Sequence, residues 1–231
     1  MKKGKLIVIE GTDGSGKATQ TELLVKSLKK EKQKVFTLDF PRYYSNLLGE
    51  LIGECARGDH GDFAKLSPKI ASVLYAVDRF ESKVVMDSKL KSGISVVLDR
   101  YVSANQMHQG GKFSSARERS RFLDWLNVLE FEILNLPKPD IVIYLDVPVS
   151  ISSELLKRSS KKLSQKKAYL KDKKDTLEHN IEYLKNSRKA ALHLLASQKN
   201  WKKISCIQNG SLRSVEEIHG DVYELVSKLL S

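Results

Sequence analysis

The sequence predicts one α/β domain on a mostly parallel sheet, and three observations carry that expectation. Five apolar, β-branched runs recur along the chain: KLIVIE (5–10), KVFTLDF (34–40), ISVVLDR (94–100), DIVIYLDV (140–147) and KKISCIQ (202–208). Stretches with helical spacing separate them, which is the pattern of βαβ units. Directly after the first run stands GTDGSGKAT (11–19), a Gly-rich stretch of the phosphate-binding type. The first four runs are nearly all apolar, as expected of strands buried on both faces.

The helices follow in order. Residues 17–31 carry Leu23, Leu24 and Leu28. A helix over 68–92 is expected to start at Pro68, whose fixed φ suits a first turn. Residues 115–135 place Phe122, Leu123, Leu126, Leu129, Phe131 and Leu134 at helical spacing, and LPKPD then stops that helix before the fourth strand. Residues 175–197 carry Ile181, Leu184, Ala191, Leu194 and Leu195, and residues 214–230 carry Ile218, Val222, Leu225, Val226 and Leu229. No internal repeat or linker is visible. A single domain spanning 1–231 is the simplest reading.

Composition narrows the function classes. The 231 residues are 41% hydrophobic, enough for a sizeable core. No run approaches the roughly 18 apolar residues of a membrane span, and the apolar start is short and broken by Glu10, so neither a membrane protein nor a signal peptide is expected. Cys55 and Cys206 read as thiols of a reducing compartment, and a cytoplasmic location follows. The net charge of +12 points to nucleic acid or to anionic small molecules. Residues 157–174 hold nine Lys or Arg against one acid, so the excess is concentrated in one segment, either a solvated helix face or a loop.

Gly11, Thr12, Asp13, Gly14, Ser15, Gly16, Lys17, Ala18 and Thr19 form the candidate ATP-binding stretch. Glycines let backbone N–H groups converge on phosphate oxygens, a helix N-terminus adds a positive field, and Lys17 supplies a point charge. Ala18 breaks the pattern, because a Ser or Thr hydroxyl normally touches Mg²⁺ there. Past the phosphate loop, Arg42, Arg79 and Arg100 accompany aromatic residues in FPRYYS, YAVDRFE and LDRYVSANQ. Arginine beside an aromatic suits a phosphate together with a flat base, and three such arginines suggest a second anionic substrate. Each alone also fits a surface ion pair, and Tyr75 alone fits core packing. Asp99 and Asp146 end strands, where an acid can hold a metal-bound water; Asp146 equally fits a helix cap.

These stretches together resemble the thymidylate kinase family over roughly residues 5–230. They are VIEGTDGSGKATQ, FPRYYSNLLGELI, LSPKIASVLYAVDRFE, LDRYVSANQMHQGGK, LPKPDIVIYLDVP and KKDTLEHNIEYLKNSRK. The resemblance implies a P-loop nucleoside monophosphate kinase fold with a five-stranded parallel sheet and a mobile basic lid over about 157–178. It implies transfer of the ATP γ-phosphoryl to dTMP, giving dTDP, with Mg²⁺ as cofactor and often a homodimer. By match, Lys17, Asp13, Arg100 and Arg158 are the candidate catalytic residues, Arg158 being the lid's single arginine. Asp13, Phe40, Arg42, Tyr43, Tyr75, Arg79, Arg100, Asn105 and Gln109 match the dTMP site. Asp99, Asp146 and Glu178, mostly through water, are the candidate metal contacts, and Asp175 matches another acid near the lid's end.

His108 departs from the family pattern, standing where a Tyr often packs against the deoxyribose, as do Leu177 and Ala191 where Tyr is common. None of these removes a charge that the chemistry needs. The rival readings are a kinase for another nucleoside monophosphate or a deoxynucleoside, a nucleotide-binding regulator, and a nucleic-acid-binding protein suggested by +12. Concentration of the excess charge in the lid favours small nucleotides over nucleic acid and membranes.

Overall fold

The computed structural model describes residues 3–160 and 180–231, without the side chains of 158–160. Five parallel strands, β1 (Leu6–Glu10), β2 (Val35–Asp39), β3 (Ser95–Asp99), β4 (Ile141–Asp146) and β5 (Trp201–Ser205), form one sheet in the order β2-β3-β1-β4-β5. The helices are α1 (Lys17–Lys30), α2 (Leu47–Arg57), α3 (Pro68–Glu81), α4 (Lys83–Lys91), α5 (Val102–His108), α6 (Ala116–Asn127), α7 (Val149–Ser160), α8 (Ile181–Ser197) and α9 (Val215–Leu230).

Alternation along the central strands makes two cores. Leu6, Val8, Val96, Leu98, Val142 and Tyr144 pack on one face against Met86, Leu90, Met107, Phe122, Leu126 and Leu194. Ile7, Ile9, Val97, Ile143 and Leu145 pack on the other against Leu24, Leu28, Val222 and Val226 of α1 and α9. Each such buried side chain contributes about 1.5–3 kcal/mol. Cys55 and Cys206 are buried and unpaired, and no helix among the described residues is long and apolar enough to cross a membrane.

The structure corrects three sequence expectations. The second apolar run is half-exposed, because β2 is an edge strand. The helix expected over 68–92 breaks at Ser82, whose N–H caps α3 through Arg79 O and whose hydroxyl faces Arg42 Nη1 at 3.4 Å. The fifth run ends at Ser205, and a two-residue hairpin follows, β6 (Ile207–Gln208) against β7 (Ser211–Leu212), turning at Asn209 and Gly210 with φ of 50° and 77°. Asn-Gly is the expected pair at such a turn.

Order in the sheet positions the site. The carboxyl ends of β1, β2 and β3 lie side by side, tied by Arg100 N–H to Ile9 O and Phe40 N–H to Asp99 O at 3.0 Å each. Open α/β sheets bind ligands at this edge.

Candidate active site

The loop between β1 and α1 is held open by glycine. Gly14 and Gly16 have φ of 81° and 87°, a region that side-chain-bearing residues avoid. A Cβ at Gly14 would meet Ser152 O at 2.1 Å, so the loop packs directly on α7. Gly16 caps α1 with no side-chain bond, which leaves the first-turn N–H groups to an anion. Lys17 Nζ is buried, donates to Thr12 O at 2.9 Å and lies 3.9 Å from Asp13 Oδ1. Burial, followed by the Arg100 charge, lowers its pKa. Ala18 and Thr19 are exposed at the head of the helix.

Arg100 lies at the centre of the site. Its backbone takes φ of 66°, in the left-handed region, immediately after β3. Its Nη1 donates to Glu10 Oε1 at 3.2 Å and to His108 Nε2 at 2.8 Å, and its Nη2 donates to Asp13 Oδ1. Fully buried Glu10 also accepts from Gly11 N–H at 3.0 Å and Ser103 Oγ at 2.8 Å. Burial alone would raise Asp13, but Arg100 and Lys17 outweigh it and hold the carboxylate well below its usual range. Asp13 therefore stays ionised beside two cations.

A cleft opens beside this cluster, and small ligands bind in such concave sites with a few converging polar groups. Asp13, Phe40, Tyr43, Tyr75, Arg79, Arg100, Asn105 and Gln109, eight of the nine residues matched to the dTMP site, line it. Gln109 is buried and its Oε1 has no partner among the described residues. Tyr75 packs on Phe63 with ring centroids 5.9 Å apart, so it serves the core and the cleft together. Arg42 departs from the expectation. It is absent from the cleft wall, its Nη1 reaches toward Ser82, its backbone N–H toward Asp78 Oδ1 at 3.3 Å, and its buried Nε has no partner among the described residues.

The far end of the cleft rests on an ion pair that the sequence did not announce. Arg79 is 1% exposed and Glu130 0%. Arg79 Nε and Nη2 donate to the two Glu130 oxygens at 2.8 and 2.6 Å, and Asn105 Nδ2 donates to Glu130 Oε1 at 2.9 Å. Glu130 lies in a π-helical turn, Val128–Ile133, that continues α6. His108 and Tyr183 also line the cleft, their rings stacked 5.5 Å apart with 13° between planes. Glu10, Glu130 and Tyr183 were missed as site residues.

The candidate metal contacts divide. Asp99 is half-buried at the carboxyl edge of the sheet, its Oδ1 has no partner among the described residues, and desolvation pushes it up to about 6 against the pull of Lys17. Asp146 is already bound bidentately by Arg188 Nε and Nη2 at 2.8 and 3.2 Å. Among the described residues, no three His, Cys, Asp or Glu side chains converge as a cage. Glu178, Asp175, Leu177 and most of the lid lie outside the described residues, as does the Arg158 side chain.

Comparison with known proteins agrees with this architecture. The family described as Thymidylate kinase matches residues 9–221. A thymidylate kinase of Plasmodium falciparum (isolate 3D7) is 30% identical over 236 residues, covering 99% of this chain and 92% of the relative. One from Mycobacterium tuberculosis (strain ATCC 25618 / H37Rv) is 33% identical over 149 residues, 64% of this chain and 69% of the relative. The solved thymidylate kinase of Candida albicans superposes with a TM-score of 0.73 at 21% identity, covering 98% of this chain and 92% of that one. With the parallel sheet, phosphate loop and cleft in register, the chain belongs to the thymidylate kinase family, ATP-dependent nucleoside monophosphate kinases whose reaction is the phosphorylation of dTMP.

Proposed function

We propose that this chain transfers the γ-phosphoryl of ATP to dTMP, giving dTDP and ADP. The observation that supports it best is the placement of Arg100. Its guanidinium sits between the phosphate-loop carboxylate Asp13 and a cleft walled by Phe40, Tyr43 and Tyr75. One side suits a phosphate donor, the other a nucleotide acceptor with a flat base. In this reading Lys17 and the N–H groups of residues 11–17 hold the ATP phosphates. Arg100 holds the acceptor phosphate, Asp13 accepts from the sugar hydroxyl, and Arg79, Asn105 and Gln109 present polar groups to the base. Little covalent chemistry is required of the protein, and positioning with charge neutralisation dominates. A coupled ADP-release assay across dTMP, dUMP, dCMP, dGMP and AMP should give highest kcat/KM for dTMP. A preference for a purine monophosphate would overturn the acceptor assignment.

Mg²⁺ fits the residues present. Asp99 offers a carboxylate oxygen with no partner among the described residues, and an ion that keeps several waters needs few protein ligands. Mg²⁺ would neutralise charge on the ATP phosphates, with Asp99, and Asp146 where Arg188 leaves room, contacting its water shell. The missing hydroxyl at Ala18 then removes one neutral oxygen that water can replace. Ala18 is exposed, so Ala18→Thr should fold normally. Titration of turnover with Mg²⁺ should show tighter apparent affinity and a kcat change below about tenfold, or roughly 1.4 kcal/mol of barrier. Activity only in the Thr variant would instead favour a regulator without turnover.

A homodimer is part of the same proposal. Ile70, Val73, Val77 and Phe80 of α3 and Val84 of α4 recur at alternating spacings of three and four, and Ile70 is 56% and Val84 81% exposed. Such a stripe along α3, followed by Val84 on α4, is the seam that two copies related by a two-fold axis would close. Light scattering should give twice the chain mass for the parent and the single mass for Val73→Glu/Phe80→Glu. A monomeric parent would remove the dimer from the proposal.

A further inference from the structure

We infer that His108 is a positioning residue for Arg100, and that Ser187 on α8 fixes the neutral ring in the one tautomer able to do this. The inference rests on the acceptor-phosphate role proposed for Arg100. The chain of hydrogen bonds has only one consistent direction. Ser187 Oγ donates its proton to Tyr183 O at 2.8 Å, one helical turn back. Toward His108 Nδ1, at 3.0 Å, it can therefore only accept, so the proton sits on Nδ1. Nε2 is left with a bare lone pair, and Arg100 Nη1 donates to it at 2.8 Å. The opposite tautomer would point an N–H at a guanidinium. Burial lowers His108 to about 3 and the Arg100 charge pushes the same way, so the ring stays neutral throughout the working pH range.

The surrounding packing holds this geometry. The imidazole stacks on Tyr183, which fixes its plane. The loop after α5 approaches α8 so closely that a Cβ on Gly111 would lie 2.9 Å from Asn186 O. A larger residue at 111 would push Ser187 away from the ring.

Charge explains why a neutral acceptor is useful here. Arg100 and Lys17 carry two positive charges, and Glu10 and Asp13 already carry two negative ones. Asp99 already adds a carboxylate within reach of both cations, so another carboxylate in place of the His108 ring would add further negative charge and repel a phosphate. Imidazole supplies the geometry of an acceptor and leaves the positive charge intact. Arginine has five N–H donors. Glu10 and His108 take both donors of Nη1 and Asp13 takes one of Nη2, which leaves Nε–H and the second Nη2–H to reach a phosphate.

The test pairs kinetics with spectroscopy. In the free parent protein, ¹⁵N spectra should show His108 with protonated Nδ1 and bare Nε2 from pH 6 to 8. His108→Phe keeps the ring and its stacking but removes the acceptor. It should raise the KM for dTMP about tenfold or more, the scale of one hydrogen bond to a charged group, with the KM for ATP within about twofold. His108→Gln returns an acceptor near the Nε2 position and should recover the dTMP KM to within about threefold. Ser187→Ala, which does not touch the cleft, should let Nε2 become partly protonated and raise the dTMP KM without changing that for ATP. A protonated Nε2 in the parent, or a His108→Phe variant with an unchanged dTMP KM, overturns the inference. Should His108→Phe not fold, Ser187→Ala with an unchanged tautomer and unchanged dTMP KM overturns it equally. Absence of dTMP turnover in the parent would defeat the proposed function separately, and the tautomer spectrum would still decide the role of His108.

Discussion

Glu130→Ala is expected to lower the unfolding free energy by about 3–5 kcal/mol, because it strands the buried Arg79 guanidinium without its counter-charge. Both side chains are essentially inaccessible, and the pair is bidentate with a further bond from Asn105. Removing the carboxylate leaves two guanidinium N–H donors of Arg79 and one amide donor of Asn105 without their acceptor, and each unpaired buried donor adds its own desolvation cost. Urea unfolding with an unchanged slope would measure the loss. Arg79→Met/Glu130→Leu should restore a large part of it, because paired replacement by apolar side chains avoids the isolated charge. A single-variant loss below about 1 kcal/mol would mean that water reaches the site and that the pair does not support the far end of the cleft. The double variant has a second use. If the rigid guanidinium reads the base, the dTMP over dCMP preference should shrink in the refolded double variant, since a polar edge discriminates more strongly than stacking.

That ion pair also marks where sequence stops being informative. The strands β1, β3 and β4 and the phosphate loop were legible because their signals are local: unbroken apolar runs, Gly-x-x-x-x-Gly-Lys, and the change from one periodicity to the other. Glu130 was illegible because an acid in LNVLEFEILNL, like Glu132 beside it, reads as a solvated helix position. Only a π-helical turn and a partner 51 residues away turn it inward. Glu10 is similar, since nothing in KLIVIEG reveals that its carboxylate will tie Gly11, Ser103 and Arg100 together. Edge position is likewise a tertiary property, so β2 could not be told from a central strand by composition. The break at Ser82 carries no Pro or Gly to announce it, whereas the end of α2 at left-handed Gly58 and the Asn209–Gly210 turn do carry local signals. Of the candidate site, the phosphate loop and eight cleft residues came from motif matches; the roles that depend on who touches whom came only from the fold.

Lys17→Met is expected to reduce kcat by at least about 10²-fold while the fold survives, the scale on which one preorganised charge acts in a site shielded from water. Methionine matches the length of the lysine stem, so the volume around the loop is kept. The Nζ bond to Thr12 O is lost, but the loop remains packed on α7 through Gly14 and tied to β1 by the Gly11–Glu10 bond. Removing a cation that burial and Arg100 both disfavour also limits the cost in stability. Asp13 loses one of its two cationic neighbours and keeps Arg100, so it remains ionised at neutral pH. A melting temperature close to the parent's together with a collapsed kcat is therefore the expected pair of results. The comparison with Ala18→Thr sharpens the reasoning, because the two positions are adjacent in sequence and differ in what they contribute. A charge on the phosphates has no substitute in the loop, since Gly14 and Ser15 supply none, whereas a neutral hydroxyl can be replaced by water. A large effect at Lys17 with a small one at Ala18 would show that the site works by charge placement. Near-normal turnover in Lys17→Met at saturating ATP, dTMP and Mg²⁺ would remove residues 11–19 from the donor site altogether.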